Sequence, residues 1–417
     1  MDFIREKIKE KPISKRKLFL KIGVAVLCGL VFSLTVLVMM LLFGPLVQKQ
    51  EGLSTEGTEF METEQETSNL TETEMENTEE IEPVIVIPPD LSLSITDYQT
   101  LQDELYEIGN KANKSIVTVA AMADKSDEWA ENPFETEGQS SGVIVSEDDN
   151  YLYILTEKKV ISDTSDIRVS FVNNTSATAT LLKWDGNTGL AILTVEKRQL
   201  SSGTKREIVV ASLGSSYEMT NGAIVIALGS PLGTNYSILT GNITSVQNKI
   251  ATRDKNYSVF TTDIVASENA SGVLINTKGE VVGIVMQSFS GSQDMSTLTA
   301  VVIDELQVLI ETLCNRKDIP YMGIYISTVT KEISKEYDIP VGIYIKEVAS
   351  ESPAVQAGLQ SGDVIVKMNG EEVTTDEAVS EKISQFIPGT TCEVMVKRQN
   401  GDEYYDVTCT VEIGVLE

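Results

Sequence analysis

Gly142-Val143-Ile144-Val145-Ser146 and Leu152-Tyr153-Ile154-Leu155-Thr156 are short, β-branched runs parted by a polar turn, and they set the pattern of the chain's central region. The same rhythm continues for about 190 residues from Ser115, in Ser115–Ala121, Ile167–Val172, Ile208–Ala211, Ala223–Leu228 and Val281–Met286. Short strands separated by turns predict an all-β barrel or sandwich, and periodicity alone does not choose between the two.

Working outward toward the N-terminus, the composition changes twice. Thr96 to Asn113 reads as an amphipathic lead-in helix with Leu101, Leu105 and Ile108 on one face. Before it, residues 48–93 are an acidic linker: between Glu51 and Glu82 there are twelve Glu and seven Thr, with no Lys or Arg. Such a stretch buries too little apolar surface to offset its ordering entropy, so a disordered, self-repelling tether is expected. Residues 22–47 carry no charge, enough to cross a hydrocarbon core of ~30 Å as a transmembrane helix. The run ends Phe43-Gly44-Pro45-Leu46-Val47, without the small residues of a cleavage site, which favours an uncleaved anchor. Residues 1–21 hold eight Lys/Arg against three acidic residues, so the positive-inside rule places this segment in the cytosol. The expected location is therefore the cell membrane, crossed once, with the bulk of the chain on the extracytoplasmic side.

Charge and residue counts exclude several chemistries. With 62 acidic and 33 basic residues the net charge is -29, and beyond the N-terminal segment nothing would neutralise phosphates, so nucleic-acid binding is not expected. The chain has no histidine, which removes the usual general base near neutral pH and the commonest metal ligand. No metal site and no cofactor site emerge, since Gly-rich phosphate loops are also missing.

Three ordered groups of motifs carry a family resemblance over roughly residues 110–310. Ser140-Ser141-Gly142-Val143-Ile144-Val145, Tyr153-Ile154-Leu155-Thr156 and Gly189-Leu190-Ala191-Ile192-Leu193 resemble the first barrel of the HtrA/DegP trypsin-like serine proteases. Ile226-Ala227-Leu228-Gly229-Ser230-Pro231-Leu232-Gly233 with Thr240-Gly241-Asn242-Ile243-Thr244-Ser245-Val246 resembles the start of the second. Glu268-Asn269-Ala270-Ser271-Gly272, followed by Leu274–Ile284, is similar to the nucleophile loop. The resemblance implies a mostly β chain with a trypsin-like double β-barrel over residues 94–313.

Carried over position by position, the resemblance implies that each catalytic role has lost its residue. The general-base histidine is replaced by Lys159, the orienting aspartate by Gly189 and the nucleophilic serine by Ala270. Alanine has no nucleophilic atom, glycine cannot orient a base, and a lysine near its reference pKa of ~10.4 is a poor proton acceptor. Glu268 stands where the family has the first glycine of its oxyanion loop, bringing a carboxylate beside donors meant for negative charge. Two alternatives stay open: Ser271 as nucleophile with Lys159 as its base, or Ser271 as an ordinary turn residue.

The C-terminal motifs resemble the PDZ domain that follows the protease unit in the same family. They are Tyr321-Met322-Gly323-Ile324, Ser352-Pro353-Ala354-Val355-Gln356-Ala357-Gly358-Leu359 and Ser361–Gly370. They imply a PDZ domain over residues 321–417, reached through a connector at 314–320. Thr374-x-x-Glu377 reads as a capping box opening a helix with Val379, Ile383 and Phe386 inward. A PDZ domain takes up a peptide by strand addition, with the terminal carboxylate held by loop amides. The resemblance places those amides in Tyr321, Met322, Gly323 and Ile324, with Ile324, Ile326, Val379 and Ile383 lining the groove. Partners implied are exported or unfolded polypeptides and C-terminal peptides, together with a homotrimer.

Cys392 and Cys409 flank an Asn400-Gly401 turn. A two-residue hairpin there sets Gln399 opposite Asp402 and Cys392 opposite Cys409, so either a cross-strand disulfide or two buried free thiols is expected. Three functions remain in view: an inactive, membrane-anchored scaffold or sensor that binds polypeptides through its PDZ domain in envelope protein quality control, an endopeptidase using Ser271 with Lys159, or a structural component of an envelope assembly.

Overall fold

The computed structural model describes residues 94–121, 139–161, 166–290, 296–401 and 403–416. The expected cytosolic segment 1–21, transmembrane helix 22–47 and acidic linker 48–93 lie outside these described residues. No helix among the described residues is long and apolar enough to cross a membrane.

Alternation of apolar and polar residues is converted into two closed barrels. The first consists of β1 (Ile116–Ala121), β2 (Gln139–Glu147), β3 (Tyr151–Glu157), β4 (Ile167–Ser170), β5 (Ser176–Trp184) and β6 (Leu190–Glu196), closed in the order β1-β2-β3-β6-β5-β4. The second has β7 (Ile224–Ser230), β8 (Ser237–Ala251), β9 (Asn256–Val265), β10 (Ser271–Ile275), β11 (Val281–Met286) and β12 (Thr297–Val302), closed in the order β10-β11-β12-β9-β8-β7. Val117, Ile144, Ile154, Val169 and Leu193 fill the first barrel, and Val225, Phe260, Leu274, Val282 and Leu298 the second. Closure leaves no free sheet edge in either unit. Barrel rather than sandwich is therefore the outcome that strand periodicity left undecided.

A third apolar cluster joins the barrels. Val143, Leu155 and Leu190 of the first pack with Ile226, Leu228, Val273 and Ile284 of the second. Helix α1 (Ile95–Ala112) lies against this seam through Leu105, Ile108 and Ala112, while Leu101 faces solvent, contrary to the expected apolar face. Its N-terminus is fixed by a capping box between Ser94 and Asp97. Ile208–Ala211, expected as a strand, instead forms a connector whose Val209 and Ala211 amides donate to Lys114 O and Ile144 O.

Helix α2 (Ile303–Cys314) leads from the second barrel into the PDZ domain. There β14 (Ile324–Val329), β15 (Gly342–Val348), β16 (Val364–Met368), β18 (Thr391–Asn400) and β19 (Glu403–Glu412) form a sheet in the order β14-β15-β16-β18-β19. β17 (Glu371–Glu372) pairs with β16, and β13 (Pro320–Tyr321) pairs with β20 (Gly414–Val415). Helix α3 (Asp376–Gln385) closes the core with Val379 and Ile383. Its N-cap is Thr375, one residue later than expected, whose hydroxyl accepts the Ala378 N–H at 3.2 Å; with Ala378 at the third helical position the expected capping box of Thr374 and Glu377 is not formed.

The expected cysteine pairing is not formed. Asn400 pairs with Glu403, which moves the hairpin turn one residue toward the C-terminus and sets Cys392 opposite Val411 and Cys409 opposite Val394. Moving the turn by one residue shifts every cross-strand partner by two. Both thiols are free and buried, the second of the two outcomes the sequence allowed.

Candidate functional site: a barrel cleft and a carboxylate loop

The seam between the barrels opens on one side into a narrow cleft lined by Ser141, Thr156, Glu157, Leu190, Ser271 and Gly272. The chain can approach itself this closely because of Gly272. A Cβ there would lie 1.9 Å from Leu228 O, and its φ of +132° suits glycine.

Lys159, Gly189 and Ala270 do not line this cleft themselves, but each lies within two residues of one that does: Glu157, Leu190 and Ser271. β3 runs into a short 3₁₀ turn, Lys158–Ile161, and the Lys158 N–H, next to Lys159, donates to Gly189 O at 2.7 Å. Gly189 has φ of +74°, a backbone conformation that favours glycine. Ala270 is fully buried, and its N–H donates to Ser267 O at 3.0 Å. That amide is thus engaged within its own turn.

The two serines of the cleft are bonded within the protein. Ser271 Oγ is buried and accepts the Ser141 N–H at 3.0 Å, while Ser141 Oγ donates to Asn235 Oδ1 at 2.7 Å. Lys159 is half exposed, with its ammonium 3.0 Å from Glu157 Oε2. An exposed, carboxylate-paired ammonium is the reverse of the desolvated setting that makes a lysine a base. The Lys158 ammonium sits 3.4 Å over the Trp184 ring.

Nothing in the sequence singles out Glu157 among the residues of the cleft. It is buried, and Oε1 has no hydrogen-bond partner. Desolvation pushes its carboxyl above the usual glutamate range, with Lys159 pulling more weakly the other way. A carboxylate at the end of a strand ordinarily reads as solvated. This one shares its cleft with Ser271, Gly272 and Ile284 of the second barrel.

In the PDZ domain the expected loop has the geometry of a carboxylate receptor. Met322, Gly323 and Ile324 turn their amides toward a common point, a turn that needs Gly323. Its φ is +91°, and a Cβ there would fall 2.3 Å from Ser352 Cβ. The point is occupied by a carboxylate of the same chain. Asp254 Oδ2 accepts the Met322 N–H at 2.8 Å, Oδ1 accepts Ile324 N–H at 2.9 Å, and Gly323 N–H is shared between them at 2.8 and 3.0 Å.

Asp254 comes from the turn between β8 and β9, where Thr252 N–H donates to Lys255 O at 2.9 Å. It adopts a left-handed φ of +64°, which Asp tolerates better than most residues. Burial pushes its carboxyl up, against the pull of the three loop amides and Arg253. Arg253 donates to Asn187 Oδ1 and Gly186 O and lies near the Tyr321 ring, fixing the turn on its other side. Among the groove residues expected from the sequence, Ile324, Ile326, Val379 and Ile383 are brought together, all buried in the PDZ core. Asp254 was missed because a polar hairpin tip is what any hairpin has.

The comparisons with known proteins fit this geometry. The description "Trypsin-like peptidase domain" matches residues 140–284, and "PDZ domain" matches residues 320–409. A "Probable periplasmic serine endoprotease DegP-like" of Hahella chejuensis is 33% identical over 294 residues, covering 68% of this chain and 58% of that protein. The "Serine protease Do-like HtrA" of Bacillus subtilis is 29% identical over 286 residues, covering 64% and 62%. The chain thus spans less than two thirds of the length of these curated relatives. Among solved structures, an HtrA-type protease, AlgW, with a decapeptide superposes with a TM-score of 0.54 at 20% identity, covering 75% of this chain and 98% of that one, a likeness of fold.

Proposed function

We propose that this HtrA/DegP-like chain, a trypsin fold followed by a PDZ domain, acts as a polypeptide receptor without protease chemistry, holding the C-terminal carboxylates of exported or unfolded chains in its PDZ loop. The observation that carries the receptor reading is the convergence of the Met322, Gly323 and Ile324 amides on one carboxylate. Three backbone N–H groups around a single anion are the chemistry by which a PDZ loop captures a chain terminus. The charge-free run 22–47 with its basic flank supports attachment to a membrane, with the receptor on the extracytoplasmic side.

The inactive reading draws on the cleft. Alanine stands at the nucleophile position, its amide is bonded within its own turn, and no histidine exists anywhere in the chain. Catalysis by Ser271 with Lys159 is disfavoured, because Ser271 Oγ is buried against the Ser141 amide and Lys159 is held by Glu157. A titration of the full chain with C-terminal peptides, each in free-acid and amidated form, tests the receptor role. Binding that needs the free carboxylate is expected. Equal affinity for both forms, or none for either, sinks it.

A further inference from the structure

The groove of the PDZ domain lies between the outer edge of β14, which pairs with β15 on its other side alone, and helix α3. A chain terminus entering such a groove gives its carboxylate to the loop amides and its backbone to the strand edge. The β8–β9 turn makes both kinds of contact from within the molecule. Besides binding three amides through its carboxylate, Asp254 donates its own N–H to Ile324 O at 2.7 Å. Two residues on, Asn256 Nδ2 donates to Ile326 O at 3.3 Å, the next inward-facing position of the same strand. On the helix side, Ser380 Oγ donates to Asp254 O at 2.7 Å, and Asn256 Nδ2 donates to Asp376 Oδ2 at 2.6 Å. Lys249 of β8 forms an ion pair with Glu377 at the start of α3. The turn is therefore held from the loop, the strand and the helix together.

Resting on the receptor reading above, we infer that Asp254 is a built-in competitor for the carboxylate loop. The turn Thr252–Lys255 occupies the place of a partner's C-terminus, and the PDZ domain accepts that partner only when the turn withdraws. Two oxygens of one carboxylate saturate all three loop donors, so Asp254 and an incoming terminus cannot be held at once. Beside the turn, a cavity of about 350 Å³ bordered by Leu309, Ile319, Pro320, Ile383 and Ser384 leaves space into which an arriving chain or the displaced turn can move. A site open for only a fraction of the time has its apparent affinity reduced by that fraction, so a turn docked about 90% of the time weakens partner binding about tenfold.

The test uses the full chain and two variants. Asp254→Gly removes the carboxylate while suiting the left-handed backbone, and Asp254→Asn keeps the shape but removes the charge. The first readout is amide hydrogen exchange at Met322–Ile324 without any peptide. The second is binding of a decapeptide library ending in a free-acid apolar residue, with the amidated library beside it. The expected result is that Asp254→Gly speeds exchange at the three loop amides at least about tenfold, leaves the barrel strands unchanged and tightens free-acid peptide binding by about the same factor, with a smaller gain in Asp254→Asn. Loop amides as protected in Asp254→Gly as in the parent chain, or peptide affinities that do not change, overturn the proposal. Loss of protection with no peptide bound by any protein shows that the receptor reading itself fails, and the competition with it.

Discussion

Two turns in this molecule gather backbone amides beside a glycine, and they have opposite fates. At the barrel cleft, the Ala270 amide bonds to Ser267 O and Gly272 lets two strands touch. In the PDZ domain, Gly323 lets three amides point outward at a carboxylate. The cleft spends its polar groups on itself, through Ser271 with Ser141 and Lys159 with Glu157, whereas the loop directs its own toward a ligand-shaped group. Two sites of one chain thus differ in where their donors and acceptors point, and function has to be argued from each site separately.

The largest difference is expected between side chains placed at Gly323 of the loop and at Gly189 beside the cleft. Gly323→Ala puts a Cβ 2.3 Å from Ser352 Cβ in a left-handed backbone, and a loss of about 2–4 kcal/mol of stability is expected, with carboxylate binding lost as well. Beside the cleft, Gly189→Asp meets nothing within 4 Å, so its cost is limited to backbone strain of about 1 kcal/mol. Urea unfolding of both variants checks the pair. Similar losses would mean that the two sites are equally tolerant and would break the contrast.

Glu157 sharpens the comparison from the cleft side through pH. Its carboxyl is raised in the folded state, so the folded protein binds a proton more tightly than the unfolded one across the window above the ordinary glutamate value. Stability from this group therefore grows as pH falls through that raised value and is lost as pH rises above it. Glu157→Gln is expected to melt higher than the parent chain at pH 8, with the gap narrowing toward pH 5. A gap independent of pH, measured by calorimetry, contradicts the desolvated placement of this carboxylate.

The smallest expected effect concerns the cysteines of the PDZ sheet. Burial pushes the Cys392 thiol up to about 11 and the Cys409 thiol in the same direction, so both resist alkylation in the folded protein. Unfolding without reductant should make both available at once, read as a mass increase. A bridge that needs reductant would overturn the register in which Cys392 faces Val411.

The strands were legible because β-branched runs such as Val143–Val145 and Ile154–Leu155 alternate with polar turns, whereas the choice of barrel over sandwich came from the family resemblance alone. The PDZ loop was legible through the resemblance carried by Tyr321-Met322-Gly323-Ile324, and the structure shows that its turn needs Gly323. The cysteine register was not, since Asn400-Gly401 fits a turn at either of two offsets and one residue of displacement changes every partner. Asp254 and Glu157 were illegible for another reason. Each is an ordinary polar residue at a strand end or hairpin tip, and what makes it unusual is a surface brought from far along the chain.

The most direct test of the central claim is to incubate the full chain with an unfolded, reduced protein and follow the appearance of new N-termini, with Ser271→Ala run in parallel. No new termini from either protein are expected, since the cleft offers no activated nucleophile. Cleavage by the parent chain that disappears in Ser271→Ala would contradict the account, making Ser271 a nucleophile and the cleft a working active site.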